Sequence, residues 1–397
     1  YALTAVLALL ALRHLRNRPA HGANRRSRAL ALAAFLLLAL AAALPLLLPV
    51  PRLPAATGPY PVGTTSLYLV DNGRTDPYAP QPGTPRELMV QFWYPAAPTG
   101  VEPPAVYLPQ LDVAGPVLAR EFNLPSFIFD HANLADLDMT VGPPLAAGGP
   151  FPVILFAHGL TGVRMQNTSM ARQLASHGYV VAALDHTYAN ALTVFPDGRV
   201  ILYDACRLFR DCRSNYLDGG PLVRQWARDL SFLLDTMAAW DETTSGIFAG
   251  GLQTARVGVF GHSTGGGAAL QFCLDDARCA AGAGLDAWVL PLDPAILDQP
   301  PPQPFLFIST PEWLGAENRA RGEALVAALP GGAADLRLPD TGHYDFSDMA
   351  LLSPLKPWLG FFGTANGRSV LTQQANDLLA FFDHTLRGAP APEFAAE

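Results

Sequence analysis

The stretch Gly261-His262-Ser263-Thr264-Gly265 sets a serine between two glycines, behind the apolar run RVGVF and ahead of AALQFCL. A buried strand, a sharp turn and a helix form the setting from which a nucleophile elbow projects its serine hydroxyl. Small residues suit such a turn because the backbone is strained and closely packed, and Gly266 and Gly267 extend the run. In a chain with 35 glycines the pattern alone arises easily by chance. The strand-to-helix setting is what gives Ser263 its reading as a nucleophile.

A serine hydroxyl attacks a carbonyl only when a base takes its proton. Among the histidines, His14 and His21 lie in a basic N-terminal stretch, while His158, His186 and His262 end strands or belong to the elbow. His384 falls in a terminal amphipathic segment. His343 stands in LPDTGHYD just after the run ADLRL, late in the chain, where an elbow-type enzyme carries its base. A third group must hold the imidazole in its working tautomer. Asp286 in GAGLDAW and Glu312 after PFLFIST both follow strand-like runs, and spacing leaves the two open; Asp340 is too near His343 in sequence to orient it. The charge developing on a carbonyl oxygen needs backbone N–H donors, each worth ~3 kcal/mol. The N–H of Thr264, after the nucleophile, and that of Leu160, in the turn after PVILFAHG, are the candidates.

These residues need a scaffold that brings distant segments together. Residues 66–70 and 87–94 read as opening strands, and 152–159, 179–186, 256–263 and 304–310 read as short, apolar, buried strands. Helical patterns fall between them at 165–177, 223–239, 264–274, 316–329 and 369–386. The alternation predicts an α/β class, a mostly parallel, doubly wound sheet with helices on both faces. Two stretches break it, 107–149 and 187–221. Insertions after strands of such a sheet sit where ligands bind, so both could cap the site as lids; the apolar residues of the first, Leu124, Phe127, Ile128, Phe129 and Leu134, fit a lid and equally an extra packed helix.

The 397 residues carry 26 Lys+Arg against 34 Asp+Glu, and half are hydrophobic. That excludes a disordered chain and a nucleic-acid-binding one. The first 52 residues hold seven arginines and no acid. Within them 28–48 offers about 20 apolar residues, the length that crosses a ~30 Å hydrocarbon core. Residues 2–12 form a second apolar run, and with no initiator Met the start of the chain is expected upstream. The six arginines of 13–28 predict a cytoplasmic loop between the two runs, with everything after it outside. The organisation expected is a membrane anchor of one or two transmembrane helices over 1–50, a Pro-rich linker over 51–63 and a catalytic domain over 64–390. A cleaved signal peptide followed by secretion is the alternative. Cys206 and Cys212 are six apart, as are Cys273 and Cys279, either two local disulfides or four buried thiols.

Four blocks resemble the plasma and type II platelet-activating factor acetylhydrolases, α/β-hydrolase esterases that remove short or oxidised sn-2 acyl groups from phospholipids. They are FAHGLTGVRMQNTSMARQLASHGYVVAALDH (156–186), RVGVFGHSTGGGAALQ (256–271), AGLDAWVLPL (283–292) with PQPFLFIST, and DTGHYDFSDM (340–349). QFWYPA (91–96) resembles the family's early strand. The resemblance implies the α/β-hydrolase fold, Ser263 as nucleophile, His343 as base and Asp286 rather than Glu312 as acid, with Leu160 and Thr264 as oxyanion donors. It implies no metal and no cofactor, and no cluster in the chain has metal-ligand spacing. Thr264 stands where the relatives have an aromatic residue, and the insertion 107–149 has no obvious counterpart. Lys356 is the sole lysine among many arginines, alanines and prolines, which points to a GC-rich bacterial gene. The function expected is a serine carboxylic-ester hydrolase acting on ester or phospholipid substrate at the outer face of a bacterial cytoplasmic membrane. A general carboxylesterase or polyester, cutinase-like hydrolase is the alternative, and an inactive membrane-anchored binding domain the remote one.

Overall fold

The computed structural model describes residues 25–213 and 219–394. The apolar runs join in one nine-stranded sheet of order β11-β10-β9-β8-β4-β5-β2-β1-β3. Its members are β1 (Val62–Thr75), β2 (Pro85–Pro95), β3 (Met139–Val141), β4 (Phe151–Ala157), β5 (Val180–Asp185), β8 (Leu252–His262), β9 (Cys279–Leu285), β10 (Phe305–Ser309) and β11 (Ala333–Arg337). Strands β5, β4, β8, β9, β10 and β11 run parallel, and β2 joins β5 and β1 antiparallel.

Every residue of β4 and β5 is buried, which explains why their sequences read as unbroken apolar runs. The period of two survives inside that run. Val153 and Leu155 face one apolar cluster and Ile154 and Phe156 the other. Helices α4 (Gly219–Asp241) and α5 (Thr264–Asp275) cover the first face with Trp226, Leu230 and Phe272. The second face is covered by α3 (Thr168–Ser176) and α7 (Gly367–Arg387) with Leu174, Leu378 and Phe382. Each such side chain removed from water contributes about 1.5–3 kcal/mol. The sheet is therefore doubly wound, and α6 (Ala316–Ala328) adds Leu325 to the first face.

The stretch 107–149 forms α2 (Leu111–Glu121), two 3-10 turns and β3, which pairs parallel to β1 at the sheet edge. In 187–221, β6 (Leu192–Val194) and β7 (Val200–Leu202) make a separate hairpin. Both cysteine pairs are bonded, Cys206 to Cys212 and Cys273 to Cys279. Cys273 lies near the end of α5 and Cys279 opens β9, so the second bridge spans the turn between them.

The transmembrane expectation needs correction. Residues 28–48 do contribute to a helix, α1 (Arg25–Leu47), but three arginines fill its first turn and Pro45 interrupts its last. The uninterrupted apolar stretch, 29–44, is 16 residues. At 1.5 Å per residue it reaches about 24 Å, short of a ~30 Å core. Among the described residues no helix is long and apolar enough to cross a membrane; the run 2–12 lies outside the described residues. The Pro-rich segment after α1 lies along the domain. Leu53 is buried, Arg172 donates to the Pro54 carbonyl, Arg368 Nη2 to the Leu53 carbonyl at 3.0 Å, and Tyr60 N to the Ser176 carbonyl at 3.1 Å.

Candidate active site

Ser263 joins the end of β8 to the start of α5 with φ 55° and ψ −120°. A non-glycine residue there costs on the order of 1–3 kcal/mol and persists only where its surroundings fix it. They do so here. The Ser263 N–H donates to the Leu285 carbonyl at 3.0 Å, and its own carbonyl accepts from Gly266 N at 2.9 Å and Trp288 N at 2.8 Å. The glycines of the motif are steric necessities. A Cβ on Gly261 would come within 2.2 Å of the Gly265 backbone, and one on Gly265 within 2.1 Å of the Ala157 carbonyl at the end of β4.

Asp286 follows β9 and His343 opens a 3-10 turn, His343–Phe346, beyond β11; the fold brings them together. His343 Nδ1 lies 2.7 Å from Asp286 Oδ2. The carboxylate can only accept, so Nδ1 carries the proton and Nε2 keeps its lone pair. The other carboxylate oxygen accepts from both Thr310 N and Thr310 Oγ1 at 3.0 Å. Asp286 is buried, whereas the His343 side chain is 21% exposed. Glu312, the competing acid, is a surface residue 3.7 Å from Arg319. The His343 turn is braced by Asp345, whose Oδ2 accepts from Gly342 N at 2.9 Å and Gly363 N at 2.6 Å. Lys356 pairs with the other Asp345 oxygen, both side chains buried.

The turn His158-Gly159-Leu160 leaves β4 against the elbow, where a Cβ on Gly159 would meet His262 Nδ1 at 2.9 Å and Ser263 Cβ at 3.3 Å. His158 fixes this turn: Nδ1 donates to the Gly159 carbonyl at 2.6 Å and Nε2 accepts from His186 N at 3.2 Å. Burial, seconded by His186, holds the His158 pKa well below the usual histidine range, so the ring is neutral. Leu160 is half-buried and Thr264 buried, the latter on the first turn of α5, where backbone N–H groups lack intrahelical partners.

Tyr344 extends the site outward. Its ring packs 5.3 Å from His343 and 5.2 Å from Phe122 at the end of α2. Beside it an apolar cavity of about 240 Å³ is lined by Phe122, Leu124 and Ile128, by Met349, Leu352 and Phe362, and by Leu47. Among the described residues no group of three or more His, Cys, Asp or Glu is arranged to hold a metal ion. The sequence pattern did not single out Thr310, Gln166 or Asp345, each an ordinary polar residue until the loops meet. Of these, only Thr310 carried a signal, ending the run PFLFIST after which an acid was sought.

The model of the family "Platelet-activating factor acetylhydrolase, isoform II" matches residues 49–197 and 242–386, which contain Leu160, Ser263, Thr264, Asp286 and His343. A platelet-activating factor acetylhydrolase of Cavia porcellus is 26% identical over 68% of this chain and 63% of its own length. A probable 1-alkyl-2-acetylglycerophosphocholine esterase of Arthroderma benhamiae is 27% identical over 50% of this chain and 48% of its own. A solved ferulic acid esterase from Streptomyces cinnamoneus superposes with a TM-score of 0.71 at 29% identity, covering 88% of this chain and 97% of that one. With the doubly wound sheet and the strand-to-helix elbow, these matches identify an α/β-hydrolase fold, and the chain belongs to the platelet-activating factor acetylhydrolase isoform II family.

Proposed function

We propose that this protein is a serine ester hydrolase working through an acyl-enzyme. The observation that carries the reading is the 2.7 Å bond from His343 Nδ1 to a buried Asp286 beside the strained Ser263. His343 Nε2 takes the proton of Ser263 as its oxygen attacks the ester carbonyl. The N–H groups of Leu160 and Thr264 stabilise the oxyanion, and the protonated imidazole then protonates the leaving alcohol. Water, activated by the same histidine, cleaves the acyl-enzyme. Asp286 holds the imidazole in place throughout.

The substrate class we propose is a phospholipid with a short or oxidised sn-2 acyl group. The names of the relatives and the apolar cavity beside Tyr344 support it. A general carboxylesterase is the second reading, favoured by the likeness to a ferulic acid esterase. As location we propose the outer side of a bacterial cytoplasmic membrane, the domain held there by its apolar N-terminal segments or secreted after their cleavage. The exposed Leu32, Leu36, Leu37 and Leu46 of α1 and the arginines ahead of it support a lipid-facing segment. An alkaline phosphatase fused at the C-terminus should be active outside the cell; a silent fusion overturns this topology.

The decisive experiment is acetate release from an sn-2-acetyl ether phospholipid beside a long-acyl phospholipid and a butyrate ester, with Ser263→Ala as control. Preference for the short sn-2 chain supports the first reading. Turnover of the butyrate ester alone moves the protein to the general esterases. Unchanged turnover in Ser263→Ala, or failure of a fluorophosphonate to label Ser263, overturns the mechanism itself.

A further inference from the structure

A hydrogen-bonded strut runs beneath the candidate site from the oxyanion turn to the loop of the base. Gln166, between β4 and α3, holds its amide nitrogen 2.9 Å from His262 Nδ1, and His262 Nε2 lies 3.0 Å from the main-chain oxygen of His343. A carbonyl oxygen only accepts, so Nε2 carries the proton, Nδ1 accepts and Gln166 donates. The ring is neutral, since burial and the neighbouring His343 hold its pKa well below the usual histidine range. The strut branches on both sides. The Gln166 amide oxygen takes the N–H of Gly159 at 3.4 Å, and its main-chain oxygen accepts from Asp348 N at 3.0 Å. Its neighbour Asn167 donates to the Phe346 carbonyl at 2.8 Å. Two glycines make room for it: a Cβ on Gly162 would fall 2.2 Å from Gln166 Oε1, and one on Gly159 would fall 2.9 Å from His262 Nδ1.

We propose that Gln166 and His262 are positioning residues that fix the backbone of His343 relative to Ser263 and the Gly159-Leu160 turn. Neither touches the reacting atoms. The three loops come from the ends of β4, β8 and β11, and the strut crosses all three. An error of about 1 Å between nucleophile and base costs on the order of 100-fold in rate, so a brace at this point is read in kcat. The inference rests on the serine-hydrolase reading above.

The test compares Gln166→Leu and Gln166→Glu with the wild-type enzyme and with Ser263→Ala on the butyrate ester. Gln166→Leu should lower kcat about 10- to 100-fold with KM within about two-fold, the folded fraction at assay temperature being unchanged by circular dichroism. A glutamate at 166 can only accept, so it draws a proton onto His262 Nδ1. Its pH–kcat profile should show an ionisation that the wild type lacks, at a ring whose titratable neighbours are His343 and His158. Wild-type kcat in Gln166→Leu overturns the proposal. So does a loss that follows the folded fraction while Gln166→Glu keeps a wild-type profile. In the wild-type protein itself, 15N shifts of the His262 ring at neutral pH should report the proton on Nε2, and a proton on Nδ1 overturns the strut whatever the variants do. Turnover surviving in Ser263→Ala would instead mean that the hydrolase reading has failed.

Discussion

Two histidine–aspartate pairs lie at the carboxyl end of the same sheet and differ in almost everything but their chemistry. His343 and Asp286 meet at 2.7 Å, with the histidine side chain 21% exposed. His186, after β5, and Asp229, on α4, meet at 3.0 Å with both side chains fully buried. The Asp286 carboxylate is held by neutral donors from Thr310, whereas Asp229 is clamped by Arg86 at 2.7 and 3.2 Å. Burial pushes the Asp229 carboxyl up, but the Arg86 charge and His186 outweigh it and hold it below the usual carboxylate range. The His186 ring stacks on Trp226 at 4.1 Å, and its Nε2 reaches no polar partner. A histidine beside an aspartate is therefore not yet a base. In the proposed mechanism it becomes one when its free nitrogen serves a nucleophile, and the second pair is a sealed joint between α4 and the strands β2 and β5.

The largest expected effect breaks the reactive pair. Asp286→Asn should lower kcat on an ester by about 10⁴-fold, because the amide favours the wrong imidazole tautomer, while the thermal midpoint moves little. Steady-state kinetics and a melting curve on the same preparation measure both. Wild-type turnover would mean that the two pairs do not differ in role.

Breaking the buried pair should do the reverse. Asp229→Asn leaves the fully buried Arg86 with Asp76 as its remaining carboxylate partner. Removing one partner of such a pair costs about 3–5 kcal/mol, read as a lower urea midpoint, with kcat per folded molecule within about two-fold. An unchanged midpoint would put the weight of that joint on the Trp226 stack instead. Asp229 also lies in 198–241, between the two parts matched by the family model, whereas Asp286 and His343 lie inside them.

Acid should separate the pairs again. Burial lowers the His186 pKa in the fold despite Asp229, so the unfolded chain binds the proton first. The stability this contributes is present above pH ~6.5 and is lost as pH falls toward the folded value, by up to about 1.4 kcal/mol per pH unit. Asp348 runs the other way. Burial lifts it to about 6, so its contribution is lost as pH rises through that value. In His186→Gln the Asp348 contribution remains, and the stability–pH curve between 7 and 5 should flatten by the histidine share alone. Parallel curves for variant and wild type would contradict the sealed-joint reading.

The elbow was legible because its strand, glycines and helix are contiguous, and the buried strands because both faces of the sheet are covered. Long-range register was not. Asp286 and Glu312 both follow strands, and spacing cannot say that Asp286 turns inward with φ 41° while Thr310, from the neighbouring strand end, closes over it. β3 is three residues long, too short to show a period, and it forms by pairing with β1 on one side and bridging Pro104 on the other. The transmembrane span at 28–48 was over-read because its apolar residues were counted across Pro45. Arg86, Asp229 and Gln166 were invisible for a common reason: a lone polar residue in an apolar neighbourhood acquires meaning only from partners such as His262, 96 positions away from Gln166.

The smallest expected effect sharpens the same comparison at its edge. Glu312 sits one strand over from Asp286, and its side chain is 81% exposed with Arg319 at 3.7 Å. An exposed pair of this kind contributes about 0–1 kcal/mol, and nothing about it reaches His343. Glu312→Gln should therefore leave kcat/KM within about two-fold and the urea midpoint nearly unmoved. A loss approaching that of Asp286→Asn would mean that the loop after β10 closes over the site during turnover and lends its own carboxylate to the histidine. The acid of the triad would then be decided by motion rather than by the resting register of β9 and β10.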